Sequence, residues 1–400
     1  MLRRMQHLLE NTYKEWQVMN SKVLLTTVFS GYNYGSSLQA LAGKTIIKKL
    51  GYKCELVAQK SMVKGRDIRL GKLLTILTRS LLLRGKSGSK ALSTYQGTYH
   101  KTMIGDSAER FARFTEEILQ PKYLSWSGLK RMANECTACF AGSDQIWNSS
   151  TMYVDPMYYL RFAPADKRVA FAPSFGRDFI ADYNKAKMSK WIGEFASLSV
   201  REDSGVKLIK ELTGNEVQHL LDPTLIVNAE EWKEILGIAE ARKNYILAYF
   251  LDAPSDLALQ SLQILKENLN CEVVAIPYQF DKMDYCDRTV AAGPKEFVEL
   301  VANAKVVCTD SFHGTVFALN MHTSFFTFER EYGSANKQSE RVLSILRKVG
   351  MLERYQPKDA AGMVDKLDFA YADEVLTAER RKAYSYVENA INSIKTHHEE

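Results

Sequence analysis

The chain has 400 residues, of which 46% are hydrophobic and 25% charged, and its formal net charge is +6. At roughly 100–200 residues per domain this length makes two or three domains, each able to bury its own core, and the composition excludes a disordered or fibrous chain. The positive charge is local: residues 60–101 hold ten Lys or Arg against one acid, Asp67, which leaves the rest of the chain net negative.

The opening stretch, MLRRMQHLLENTYKEWQVMN, carries charges throughout and lacks the apolar core of a signal peptide. No run approaches the roughly 20 apolar residues of a membrane-spanning helix. Six cysteines, Cys54, Cys136, Cys139, Cys271, Cys286 and Cys308, sit mostly in apolar runs. Buried reduced thiols in a cytoplasmic protein are the expectation. Cys136 and Cys139 form a CxxC. Read as part of a strand, TACFAG points them to opposite faces, and no second CxxC exists, so no metal site is expected.

In chain order, the β-branched run Val23–Phe29 reads as a buried strand ending at Ser30-Gly31. A helix over Leu38–Leu50 and a second strand over Cys54–Ala58 complete a β-loop-α-β unit, which predicts a parallel sheet. Leu70–Leu83 is an amphipathic helix with Leu70, Leu73, Leu74, Leu77 and Leu81 on one face, followed by the basic GKSGSK. A further helix is read at Phe111–Ile118. Strands follow at Cys136–Ala141, Arg168–Ala172, Leu198–Val200 and Val217–Leu221, and the charged, helix-like Asn228–Lys243 connects to a second β/α series. That series has strands at Tyr245–Phe250, Glu272–Ile276, Lys305–Cys308 and Ser324–Phe328, and helices at Leu257–Leu269, Pro294–Ala302, Gly314–Asn320 and Arg341–Val349. A long terminal helix covers Ala378–Lys395. The expected organisation is an α/β, GT-B-like fold of two Rossmann-like, doubly wound domains facing a cleft: residues 1–235, residues 236–375, and a C-terminal helix over 376–400. Ligands of such sheets sit beyond the carboxyl ends of the strands.

Three strand-to-helix turns concentrate groups able to do chemistry there. In Gly31-Tyr32-Asn33-Tyr34-Gly35-Ser36-Ser37, two glycines let the backbone turn and approach a ligand, and Asn33 or Ser36 can cap the helix. Gly142-Ser143-Asp144-Gln145-Ile146-Trp147-Asn148 brings a carboxylate, amides and an indole to one turn, where Asp144 can orient or deprotonate a sugar hydroxyl or simply cap a helix, and Trp147 can stack on a ligand or fill the core. In Thr309-Asp310-Ser311-Phe312-His313-Gly314-Thr315, His313 stands at a strand's carboxyl end, where it can act as acid or base. Arg201 ends another strand and suits an anionic substrate, or a surface ion pair with Glu202 or Asp203. Arg330 and Arg341 flank the polar stretch 331–340, a candidate lid or a solvated connection.

Taken together, these pieces resemble the polysaccharide pyruvyl transferase family. The matching segments are Asn33-Tyr34-Gly35-Ser36-Ser37-Leu38-Gln39-Ala40, Gly142–Asn148, Ser199-Val200-Arg201-Glu202, Asp222-Pro223-Thr224, Ser311-Phe312-His313-Gly314 and Arg341–Leu346, in the family's order. The resemblance implies transfer of pyruvate from phosphoenolpyruvate to a sugar of a cell-surface glycan or its lipid-linked precursor, giving a ketal. It implies His313 as acid/base residue, Arg201 as a ligand of the donor anion, and no cofactor or metal. With His313, Asp144 is the second candidate catalytic residue, and Asn33, Gly35, Ser36, Ser143, Gln145, Trp147, Arg201, Ser311, Gly314 and Arg341 are the candidate substrate contacts. Many members carry Arg two residues before this His. Here that position is Ser311, and Arg341 or Arg330 are the cations that can replace it.

Two other readings stand beside this one: a glycosyltransferase of the same fold using a nucleotide sugar, and a non-catalytic glycan-binding protein. The expected location is cytoplasmic, with no nucleic acid as partner. The leucine stripe of 70–83 either packs on its own domain or, with its basic surroundings, meets an anionic membrane from the inner face.

Overall fold

A computed structural model describes residues 21–62, 69–84, 104–149, 151–241, 244–277, 283–330, 339–364 and 367–399. The N-terminal stretch, the GKSGSK segment with most of the basic tract, and residues 331–338 of the candidate lid lie outside the described residues. The first half builds β1 (Lys22–Thr26), α1 (Tyr34–Lys49), β2 (Lys53–Gln59), α2 (Leu70–Arg84), α3 (Ser107–Arg113), β3 (Lys122–Leu124), α4 (Trp126–Glu135), β4 (Ala138–Ala141), β5 (Arg168–Ala170), α5 (Asp182–Ile192), β6 (Ser199–Val200), α6 (Asp203–Thr213), β7 (Gln218–His219) and α7 (Pro223–Ile226). After α8 (Ala229–Leu236), the second half builds β8 (Tyr245–Tyr249), α9 (Asp256–Leu269), β9 (Glu272–Ala275), β10 (Arg288–Thr289), α10 (Pro294–Asn303), β11 (Val306–Thr309), α11 (Phe312–Asn320), β12 (Ser324–Thr327), α12 (Ser339–Lys348) and α13 (Ala360–Met363). The chain ends on α14 (Ala370–Glu399).

Each half holds one five-stranded parallel sheet, and the two repeat one order: β3-β2-β1-β4-β5 and β10-β9-β8-β11-β12. The inner strands β1, β4, β8 and β11 are buried almost throughout, as expected of parallel sheets covered by helices, whereas the edge strands β3 and β10 are largely exposed. In both sheets the chain returns to the opposite side of the first strand, between β1 and β4 and between β8 and β11. Those are the switch points where doubly wound sheets leave a crevice. This is the GT-B-like arrangement that the sequence predicts.

The halves are fused rather than merely adjacent. One apolar cluster runs from Val23 and Leu25 of the first sheet to Leu247 and Val307 of the second. At its centre Tyr34, on the first turn of α1, stacks on Phe297 of α10 with centroids 4.9 Å apart, and its hydroxyl donates to Ala292 O at 3.1 Å. The terminal helix starts at Ala370, earlier than the apolar spacing from Ala378 suggests, and it returns to the first half. There Tyr386 donates to Ala170 O at 2.6 Å, and Lys395 Nζ lies 4.9 Å from the centre of the Tyr52 ring.

Several local readings change. The two- and three-residue edge strands β10 and β3 are too short to be read from the sequence, and the amphipathic ten-residue helix α4, with Leu129 and Ala133 buried, is an element that the sequence reading lacks. The CxxC thiols do not point apart. Cys136 caps the end of α4 rather than continuing the strand, so its Sγ meets the Sγ of Cys139 at 3.3 Å, both of them buried. No described helix is long and apolar enough to cross a membrane. All six cysteines are free thiols, five of them buried and Cys286 partly exposed. A water-soluble disulfide reagent should therefore label Cys286 in the native protein at least about tenfold faster than the other five, which should react only on unfolding. Rapid native labelling of the Cys136–Cys139 pair would contradict this packing.

Candidate functional site

The crevice is built from the strand ends upward. After β1 the chain turns and Asn33 caps α1, its side chain accepting from Ser36 N at 3.1 Å. With its backbone so fixed, Ser36 turns its hydroxyl across the switch point and donates to Asp144, in the loop after β4. Asp144 sits at φ +63°, an unusual backbone state for a non-glycine residue, and its other carboxylate oxygen accepts from Gln145 N at 2.8 Å. Thr27 Oγ1 donates to Ser143 O at 2.9 Å, holding the two loops together. The Ser143 hydroxyl is buried and has no hydrogen-bond partner among the described residues.

The second half supplies the facing wall. Ser311 caps α11, its hydroxyl accepting from Gly314 N at 3.3 Å, while Thr309 Oγ1 accepts from Ser311 N at 3.0 Å. Gly314 is needed for packing, since a Cβ there would lie 2.4 Å from Thr309 Oγ1. His313, on the first turn of α11, rests its imidazole on the first turn of α1. A Cβ on Gly35 would fall 2.0 Å from His313 Nδ1, so only glycine permits this approach of the two halves. His313 Nε2 is buried, has no hydrogen-bond partner among the described residues, and faces Asp222 Oδ2 at 3.8 Å.

Asp222 joins the histidine to the arginines. It caps α7 with Oδ1, which accepts from Thr224 N at 3.0 Å and Thr224 Oγ1 at 2.8 Å, and its Oδ2 accepts from Arg201 Nη1. Burial alone would raise the Asp222 pKa, but Arg201 and the nearby His313 hold it well below the usual carboxylate range. Burial would likewise lower Arg201, yet the Asp222, Glu202 and Asp144 carboxylates hold it above its ordinary value. Arg201 Nη2 has no hydrogen-bond partner among the described residues. Arg341 comes from α12 and is pushed down to about 10 by burial and by Arg201 beside it. The two guanidinium carbons lie 5.1 and 5.6 Å from the centre of the Phe312 ring, so both stack on that one ring. In the amide orientation that satisfies its neighbours, Gln145 Oε1 accepts from Arg341 Nη1 and Nη2, each at 3.2 Å. A small cleft opens over this group, lined by Arg201, Asp222, Phe312, Arg341, Ser344 and Lys348 among others.

The structure thus gathers Asn33, Gly35, Ser36, Asp144, Gln145, Arg201, Ser311, His313 and Arg341 around one crevice. Trp147 does not join them. It is wholly buried, stacked on Tyr159 at 5.6 Å with its indole N–H donating to Tyr158 O, so it belongs to the core of the first half and cannot touch a ligand. Arg201 is not a surface cation: it pairs with buried Asp222 rather than only with its neighbour Glu202. Of the two arginines offered as replacements for the cation missing at Ser311, Arg341 adjoins Arg201, whereas Arg330 Nε donates to Asp310 at 3.1 Å. Asp222 and Phe312 are the contributors given no role from sequence, and Glu202 was given only that of an ion-pair partner to Arg201. Asp222 was hidden because an Asp before Pro reads as an ordinary helix cap, which it also is.

Two parallel sheets of one order, with a charged crevice between their carboxyl ends, define a two-domain α/β protein of GT-B-like architecture. The sequence profile described as "Polysaccharide pyruvyl transferase" matches residues 33–332, three quarters of the chain, and the chain belongs to that family. Among curated proteins none matches it in sequence. Among solved structures, it is similar over 94% of its length to an O-GlcNAc transferase mutant from Thermobaculum terrenum (12% identity, 68% of that chain, TM-score 0.42). It is also similar over 94% of its length to the UDP-GlcNAc 2-epimerase of Neisseria meningitidis bound to UDP-GlcNAc (12% identity, 98% of that chain, TM-score 0.44). A third likeness, over 87% of its length, is to the UDP-GlcNAc 2-epimerase of Methanocaldococcus jannaschii (10% identity, 92% of that chain, TM-score 0.45). Likenesses this distant say nothing of chemistry.

The buried charge pair gives a direct test. Asp222→Asn leaves Arg201 buried without its principal counter-charge, and should cost about 3–5 kcal/mol of stability by denaturant unfolding. Because the folded-state pKa of Asp222 is depressed, its contribution is complete above about pH 4, where the unfolded carboxyl is ionised, and is lost only as the pH falls through the lower folded value. An Asp222→Asn protein within about 1 kcal/mol of the parent at neutral pH would refute this account of the pair.

Proposed function

We propose that the protein transfers pyruvate from phosphoenolpyruvate to a sugar of a cell-surface polysaccharide or its lipid-linked precursor, as a ketal. The observation that carries this reading is the meeting of a histidine with two arginines at the crevice between the sheets: His313 faces Asp222, and Arg201 and Arg341 share the Phe312 ring. Phosphoenolpyruvate is an enol phosphate with a carboxylate, so it needs cations for its anionic groups and a proton for its methylene carbon. Arg201 and Arg341 are suited to the anions. A protonated His313 gives its proton to the methylene, which becomes a methyl group and leaves the central carbon electrophilic. A sugar hydroxyl adds there and loses its proton, inorganic phosphate departs, and a second hydroxyl of the same sugar closes the ketal. One hydroxyl proton restores His313 and the other leaves in the solution. Asp144, which accepts from the Ser36 hydroxyl, is the carboxylate suited to take that second hydroxyl proton and pass it to the solution. No cofactor or metal enters these steps. A phosphoenolpyruvate donor and six free thiols are consistent with a cytoplasmic enzyme.

The direct experiment incubates the protein with phosphoenolpyruvate and lipid-linked oligosaccharides. Mass spectrometry then follows the acceptor for a pyruvyl adduct while phosphate release is assayed. Calorimetry that shows sugar nucleotides binding and phosphoenolpyruvate silent would replace this reading with glycosyl transfer. His313→Ala should lower the turnover number by about 10²–10⁴-fold with the unfolding curve unchanged, as for loss of an acid–base group. Arg201→Lys, which keeps the charge but not the fork, should raise the phosphoenolpyruvate concentration needed for half-maximal rate. Near-full turnover in His313→Ala would remove it from the chemistry.

A further inference from the structure

Three of the five leucines in the α2 stripe stand in solvent, while Leu73 and Leu77 are half-buried. Leu70, Leu74 and Leu81 are 60%, 53% and 57% exposed. At about 100° per residue they fall within roughly 40° of one another on the helix, and Arg79 lies about opposite Leu70. The inward side is polar. Arg69, which precedes the helix, donates to Gln59 Oε1 at 2.8 Å and to Asp155 Oδ1 at 3.0 Å. Arg79 donates to Met152 O at 3.1 Å and Asn184 Oδ1 at 2.9 Å, with its guanidinium 5.4 Å from the centre of the Tyr183 ring. A soluble amphipathic helix normally turns its leucines inward and its arginines to water. Here the arrangement is reversed, and the arginines fix it. No other described helix exposes three large aliphatic side chains; α9, with Leu259 and Ile264, shows two. In sequence the helix lies within a basic tract, residues 60–101 holding ten Lys or Arg and a single acid.

We propose that α2 is a docking helix for an anionic lipid surface, lying in the plane of the interface with Leu70, Leu74 and Leu81 in the acyl boundary. An exposed aliphatic stripe set in a basic tract matches the two features of such a surface, an apolar interior under negatively charged headgroups. The like charge that this tract carries in every copy of the chain opposes self-association through it. The proposal is independent of the reaction proposed above, and its test contains neither phosphoenolpyruvate nor glycan.

The full-length protein is sedimented with vesicles of phosphatidylcholine alone or of phosphatidylcholine mixed with phosphatidylglycerol. It should pellet with the mixed vesicles at low salt, stay in solution with the neutral ones, and be released as salt is raised. Substituting the two most exposed leucines, Leu70→Gln with Leu81→Gln, should weaken pelleting at least about tenfold at an unchanged melting temperature. If that double variant melts early, Leu70→Gln alone, at the first residue of the helix, gives the same comparison. Absence of pelleting at low salt, equal pelleting with both vesicle types, or binding indifferent to the substitutions would overturn the proposal. So would a protein that is dimeric in sedimentation velocity and becomes monomeric on substitution, since the face would then belong to a second copy.

Discussion

Arg201 and Asp222 form a charge pair buried just past β6 and β7, where the first half meets the second, and the rest of the crevice is arranged around it. Neither partner tolerates burial alone, because a lone charge in the interior costs several kcal/mol. Asp222 is fixed twice, by the first turn of α7 and by the guanidinium, and so it can present an edge to His313. Arg201 is fixed by Asp222 and by the Phe312 ring, and that ring also receives Arg341. Placing two guanidinium groups together in the interior is unfavourable: burial first, and Arg201 second, hold Arg341 below its ordinary pKa. In the proposed reaction, a donor with two anionic groups relieves this repulsion.

The repeated sheet order explains why the contributors lie so far apart in sequence. Each half offers a helix N-terminus at its switch point, α1 in the first and α11 in the second, and the packing of the halves sets those two first turns against each other. Gly35 is the point of contact. The missing side chain at Gly35 and the imidazole at His313 are two parts of one contact, although 278 positions, the difference between their residue numbers, separate them in the chain.

Much of this was legible in the sequence because buried parallel strands are written as β-branched runs, and the turns after them are marked by Gly, Ser, Asp and Asn. The three strand-to-helix turns were found that way. What stayed hidden depends on contacts across the fold. The edge strands β3 and β10 are too short to show a period. Cys136 lies one turn outside the strand to which its apolar neighbours seemed to assign it, which is why the two thiols meet. Trp147 shares a turn with Asp144 but points into the first half's core, a difference of side-chain direction that spacing within a loop does not encode. Asp222 has two duties, and only the local one, capping, leaves a mark in sequence. The same holds for α2: its apolar period was evident, but which face turns inward depends on Asp155 and Asn184, far along the chain.

The terminal helix α14 and the shared apolar cluster bind the two halves into one body, since Tyr386 anchors the end of the chain to the backbone of the first sheet and Arg380 donates to Leu225 O at 3.0 Å beside the connection between halves. A pair of lobes joined this way has little freedom to swing about a hinge. Cutting the chain between the lobes would leave each with a raw apolar face, and the last thirty residues would be needed in trans to cover it.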